Sequence, residues 1–172
     1  MNKHGNGILV LLGLITWFFT VNVFGAATHK AKDCSYAEVS AAVTAADAGD
    51  TVLVPPGSAT WNKPLVIEKG LILKGAGMGK TIVKSNFTDG FAGIIKYKPD
   101  LANNALFRVT GFTLDGNNMS HAIWLQHDTA LKTTWIRIDH NRIFNADACV
   151  RVRGTIYGVV DNNIFSENAK KT

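Results

Sequence analysis

The stretch Ile136-Arg137-Ile138-Asp139-His140-Asn141-Arg142-Ile143-Phe144 is followed, 21 positions on, by Tyr157-Gly158-Val159-Val160-Asp161-Asn162-Asn163-Ile164-Phe165. In this alignment Ile138 meets Val159, Asn141 meets Asn162, Ile143 meets Ile164 and Phe144 meets Phe165. A second register sets His121-Ala122-Ile123-Trp124-Leu125-Gln126 over Ala148-Cys149-Val150-Arg151-Val152-Arg153, with Ile123 on Val150 and Leu125 on Val152. Phe107-Arg108-Val109-Thr110-Gly111-Phe112 is an earlier, looser copy. Self-similarity at such spacings marks stacked repeats, each of which buries its apolar side only against its neighbours. Matching strands 21 to 36 residues apart describe the rungs of a parallel β-solenoid. Phe stacks on Phe inside and Asn on Asn at the turn, where side-chain amides can pass hydrogen bonds from rung to rung. The competing reading is a β-sandwich with coincidental similarity, but sandwich strands do not as a rule repeat a turn asparagine at the same phase.

Working outward, the rest of the chain has the same character. Short apolar runs at Val52-Leu53-Val54, Leu65-Val66-Ile67, Leu71-Ile72-Leu73 and Phe112-Thr113-Leu114 are each closed by Gly, Pro or a charged turn. No helical pattern separates them, which excludes a doubly wound α/β fold, whose parallel strands need helical crossovers. The one convincing helix opens at Ser35-Tyr36-Ala37-Glu38, a capping box, and carries Val39, Ala42, Val43 and Ala46 on one stripe. Gly49 is expected to end it.

Residues 1–27 are read as a secretory leader: Lys3 in a polar start, the apolar run Ile8–Phe24, then the small residues Gly25-Ala26-Ala27, with cleavage after Ala27. An uncleaved anchor is the competing reading, since the run is near the lower limit for a membrane span. Residues 28–49 form an N-terminal segment with the helix, and 50–172 the coils. The chain is thus expected to be exported, with no membrane attachment after cleavage. Hydrophobic residues make up 47% and charged residues 18%, which excludes a disordered chain. The net charge of +5 is scattered rather than clustered, so nucleic acid is not an expected partner. Gly75-Ala76-Gly77-Met78-Gly79-Lys80-Thr81 superficially resembles a phosphate-binding loop. However, Lys74 stands where its first glycine belongs and strand, not helix, follows, so this is a glycine turn between rungs.

Several of these stretches carry a family resemblance. Cys34-Ser35 opening a helix, Gly49 to Gly57, Thr60-Trp61, Leu73-Lys74-Gly75-Ala76-Gly77 and the two Asp-Asn coils resemble secreted bacterial right-handed parallel β-helix proteins of the pectin-lyase-like superfamily. The resemblance runs from Cys34 to Phe165 and is specific for fold rather than activity. It implies an all-β, right-handed solenoid whose N-terminal open end is capped by the helix. It also implies a cysteine where Ala59 stands, paired to Cys34. That partner is absent, and Cys149 lies several coils along, so two thiols are expected rather than a bridge. For the lyases of this group it implies Ca²⁺ on several acidic residues of one coil face and an arginine that abstracts the proton beside a uronate carboxylate. Ca²⁺ takes hard oxygen ligands and acidifies that proton by neutralising the carboxylate.

Trp135-Ile136-Arg137-Ile138-Asp139-His140 partly resembles the lyase pattern of a tryptophan strand ending in Asp-His. The acidic set does not follow: His121 stands where a ligand would begin the Ile123 strand, and only Asp147 is available near Val150. One carboxylate is too few for Ca²⁺, so no cofactor is expected from the residues, and Asp139 and His140 read as turn residues bonded to backbone amides. Trp124 and Arg151 are the more informative pair. Both lie between inward-facing apolar residues and share the second register, with Arg153 below Gln126. An indole beside guanidinium groups suits a sugar face carrying a carboxylate, while cation–π packing on a sheet face is the plainer alternative. The candidate substrate-binding residues are therefore Trp124, Arg151, Arg153 and Asp147.

Two function classes remain at this level. One is a carbohydrate-active protein that binds or processes acidic polysaccharide or a cell-surface glycan. The other is a non-catalytic surface or adhesive rod. No complete catalytic constellation is present for a polysaccharide lyase or glycoside hydrolase. The chain stops at Lys170-Lys171-Thr172 without a second cap, so it reads as C-terminally truncated, with further coils or self-association covering the open end.

Overall fold

A computed structural model of the chain describes residues 25–87, 93–100, 105–127 and 132–167. The expected leader lies almost wholly outside them. The described residues form a parallel β-helix built from three sheets. Sheet A contains β1 (Thr28–Lys30), β2 (Thr51–Leu53), β5 (Ile72–Lys74), β8 (Phe107–Thr110), β11 (Thr133–Asp139) and β14 (Ile156–Asp161), in that order. Sheet B contains β3 (Gly57–Trp61), β6 (Thr81–Ser85), β9 (Thr113–Asp115), β12 (Arg142–Phe144) and β15 (Ile164–Ser166). Sheet C contains β4 (Leu65–Ile67), β7 (Gly93–Tyr97), β10 (His121–Gln126) and β13 (Val150–Arg153). From β2 onward the chain visits A, B and C in turn, and every pairing is parallel.

Side-chain alternation along each strand turns this winding into a core. On sheet A, Val52, Leu73, Val109, Ile138 and Val160 are register partners, 21, 36, 29 and 22 residues apart. The inward column of sheet B is Ala59, Val83, Leu114, Ile143 and Phe165. Sheet C contributes Leu65, Ile95, Ile123 and Val150. Tyr97 on sheet C stacks on Phe107 of sheet A with ring centroids 3.9 Å apart. Burial pushes the Tyr97 hydroxyl up to about 12, because its phenolate has no water to stabilise it.

The 27-residue register of the sequence is the observed one, with Ile123 on Val150, Trp124 on Arg151 and Gln126 on Arg153. The 21-residue register is corrected to 22. Ile138 pairs with Val160, Ile143 with Phe165 and Phe144 with Ser166. The stacked asparagines are therefore Asn141 and Asn163, and Asn162 instead stacks on His140. Hydrogen bonding decides this. Asn141 Oδ1 accepts from Phe112 N at 3.0 Å, and Asn163 Oδ1 accepts from Asn141 N at 3.0 Å. Each amide Nδ2 donates to the carbonyl one coil back, Val109 O at 3.0 Å and Ile138 O at 2.8 Å. His140 and Asn162 precede these residues at φ 54° and 52°, the left-handed positions of the corner, which polar residues tolerate best.

Helix α1 (Tyr36–Ala45) starts at Ser35, whose Oγ accepts from Glu38 N. It buries Val39, Ala42 and Val43, followed by Ala46 just past its end. It touches β1 and β2 of sheet A, β3 of sheet B and β4 of sheet C, the N-terminal strands of the three sheets, and so covers the core end. The helix stops before Gly49. Asp50 draws the chain away by accepting from Asp47 N at 2.8 Å, and Lys69 Nζ donates to the released Ala46 carbonyl. Gly49, at φ 93°, instead donates to Gly70 O. No disulfide joins Cys34 to Cys149. The Gly75 turn is a close backbone approach: a Cβ there would lie 2.3 Å from Gly111 O, and β6 follows directly as strand.

One strand is irregular. Thr133 pairs with Ile156 and Ile136 with Gly158, so Thr134 and Trp135 together oppose Tyr157 in a β-bulge. Trp135 sits there at φ 62°, a left-handed conformation that costs a bulky residue about 1–3 kcal/mol.

Asn141 is fully buried and serves four groups, so Asn141→Ala strands the Phe112 amide and the Val109 carbonyl. The expected loss is about 2–4 kcal/mol, read as a lowered denaturation midpoint with unchanged slope in urea unfolding.

Candidate functional site

The outer face of sheet C brings the candidate residues together. Val66, Lys96, Trp124 and Arg151 form one outward column over β4, β7, β10 and β13. Lys96 Nζ lies 4.4 Å from the Trp124 ring centroid and Arg151 Cζ lies 5.4 Å from it, so cations from the coils on either side bracket the indole. Trp124 is only 5% exposed as a result, and its faces are in cation–π contact rather than open to a sugar ring. Arg153 is exposed beside Gln126, one outward position further along.

His121 links this column to the acid. Arg151 Nη1 lies 2.7 Å from His121 Nε2. A guanidinium only donates, so Nε2 is the acceptor and the ring proton sits on Nδ1. Nδ1 in turn lies 3.3 Å from Asp147 Oδ2. Asp147, His121, Arg151, Trp124 and Lys96 thus form one connected group drawn from three coils. Sequence reasoning named three of these five, and missed Lys96 because the β7 strand was not recognised. The signal was there: Gly93-Ile94-Ile95-Lys96-Tyr97 places Ile95 28 residues before Ile123. His121 was noticed only as the residue displacing an acid.

Ca²⁺ does not fit this group. Among the described residues no cluster of three or more His, Cys, Asp or Glu side chains could hold a metal. Asp147 is the one carboxylate in the group, and the side chain shown against it is the His121 imidazole, a poor partner for a hard cation.

The Asp-His pair is explained differently than the sequence implied. Asp139 is fully buried, and its partners are side chains rather than backbone amides. Arg108 clasps it in a two-pronged fork, Nε to Oδ1 at 2.7 Å and Nη2 to Oδ2 at 2.5 Å. His140 Nδ1 lies 2.7 Å from Oδ2. Arg137, stacked on Arg108, reaches Asp161 at 3.0 Å. Burial alone would raise the Asp139 pKa, but the Arg108 fork, the His140 bond and the Arg137 charge outweigh it and hold it below the usual value. These residues tie together the outer face of sheet A.

No known protein family matches the chain, and no curated protein does. Among solved structures, ORF18 of Geobacillus virus E2 is similar, with a TM-score of 0.52 and 19% identity over 64% of this chain and 25% of that one. This likeness shows the fold alone. The chain thus falls in the parallel β-helix class, matching about a quarter of the length of the viral protein.

The stability that Asp139 contributes is complete above its unfolded value near 4 and is lost as pH falls through its lower folded value. Asp139→Asn should therefore flatten the acid limb of a melting-temperature profile below about pH 4. At pH 7 it should cost about 2 kcal/mol, less than a fully buried pair because Arg108 is partly exposed.

Proposed function

We propose that this chain is a secreted β-helix of the pectin-lyase-like kind, and that the outer face of sheet C binds acidic polysaccharide. The observation that carries this reading is the group of Lys96, Arg151 and Arg153 on the two coils either side of β10, with Trp124 standing between them on the sheet face as the spacer. Successive strands are about 4.8 Å apart, so the cations of β7 and β13 stand on strands roughly 10 Å apart, a spacing that a chain of carboxylate-bearing sugars can follow. Fixed guanidinium groups recognise carboxylates with little ordering cost, and the His121 bond holds Arg151 in place. Asp147 fixes His121 rather than meeting the ligand, so the Trp124 and Asp147 roles are positional, while Lys96, Arg151 and Arg153 make the contact.

The second reading, a non-catalytic surface rod, draws on the burial of Trp124 beneath its two cations, which is what packing alone would produce. The two readings differ in solution. Polysaccharide recognition requires the purified chain to bind polygalacturonate, with affinity falling as salt screens the cations, and to ignore neutral dextran. Replacing both Arg151 and Arg153 by Ala should weaken that binding about ten- to hundredfold, measured by titration calorimetry at low salt. Equal binding of both glycans, or of neither, would leave the rod reading.

A further inference from the structure

We propose that Trp135 and Tyr157 form a second glycan subsite, a stacking platform at the corner where the chain enters sheet A. The inference rests on the acidic-polysaccharide reading above and adds a separate place of contact. Three observations carry it.

The first is the contrast among the tryptophans. Trp61 is fully buried and Trp124 nearly so, whereas Trp135 is 68% exposed. Trp135 belongs to β11, which has β8 on one side and β14 on the other, so its exposure is not a consequence of lying on the last coil. The second is the backbone. Among the described residues, the other non-glycine residues at positive φ are Asn117, Asn118, His140, Asn145, Asn162 and Glu167, all polar and outside strands. Trp135 alone takes this conformation within a strand, and the bulge that imposes it turns the indole outward. The fold spends backbone strain to hold a large apolar ring in water, the reverse of what packing favours, and such strain points toward a ligand.

The third is the company it keeps. Ile136 pairs with Phe107 and Gly158, so the residues before them, Leu106, Trp135 and Tyr157, form a row across three coils. Leu106 is 38% and Tyr157 52% exposed. Lys132 Nζ lies 5.7 Å from the Tyr157 ring centroid, and among the described residues no carboxylate is paired with it. A row one side chain wide cannot bury the roughly 800 Å² per partner of a stable protein interface. It does match a sugar ring, whose C–H face packs on an indole, with a uronate carboxylate reaching Lys132.

Calorimetric titration of the purified chain with oligogalacturonate tests this, using Trp135→Gly, Trp135→Phe and the Arg151→Ala/Arg153→Ala double variant. Glycine accepts the positive φ, so Trp135→Gly should melt at or above the wild-type temperature yet bind at least tenfold more weakly. Trp135→Phe should keep binding within about threefold. A Trp135→Gly protein that binds like wild type while the double arginine variant fails would overturn the subsite and leave the sheet C reading standing. Loss in the Trp135 variant alone would support the subsite and remove the sheet C reading. A Trp135→Gly protein that melts lower would make Trp135 a packing residue, and absence of wild-type binding would end both proposals.

Discussion

The Asn141–Asn163 ladder fixes the register on which everything else rests. A parallel sheet alone does not say which residue of one coil lies over which residue of the next, and a slip by one position would turn every inward side chain to solvent. The buried amides remove that freedom. Each Oδ1 accepts from a backbone N–H of the coil before it and each Nδ2 donates to a carbonyl there, so a slipped coil would leave buried donors and acceptors unmet. The columns Val109–Ile138–Val160 and Leu114–Ile143–Phe165 follow from this pinning, as does the alignment of Arg108 with Arg137 on the outside.

On the outer faces the same register sorts charge. Sheet A interleaves arginines and aspartates, so that Arg108 and Arg137 each find an anion within their own or the next coil. On sheet C the Trp124 ring stands between the Lys96 and Arg151 cations, and His121 joins Arg151 to Asp147. The difference is chemical rather than architectural: both faces are flat, parallel and built from the same coils.

Much of this was legible in the sequence, and where legibility failed the reasons are physical. Ile123 over Val150 is readable because two apolar residues with a spacer repeat on both strands. The Asp139 coil was misaligned by one residue because apolar similarity, Ile143 with Ile164 and Phe144 with Phe165, outweighed the polar signal Asp-His-Asn over Asp-Asn-Asn. Only the latter reports the turn, and hydrogen bonds rather than hydrophobicity set the frame. β1 was not foreseen because Thr28-His29-Lys30 has no apolar alternation; it exists as an edge strand laid on β2, with His29 held at 2.9 Å by Asp50. Within the site, Trp124 and Arg151 were found and Lys96 was not, since a partner in the preceding coil is visible only once that coil is aligned. The exposure of Trp135 was invisible for a similar reason: a bulge is a mismatch between two strands and leaves no mark on either one.

The corners of the coil are unequal. Between sheets A and B, β8 and β9, β11 and β12, and β14 and β15 are each joined by two residues, and the last two of these corners carry the stacked Asn141 and Asn163. In the earlier coils this corner takes three residues after β2 and six after β5, and the variation is widest from C to A, with two residues after β13 and nine after β7. A lineage carrying this fold is therefore free to lengthen or replace the loops between sheets C and A, while the two-residue corner of the later coils holds the frame constant. Diversity of shape is channelled to one edge of the coil stack, where it can drift without the scaffold having to be re-solved each time.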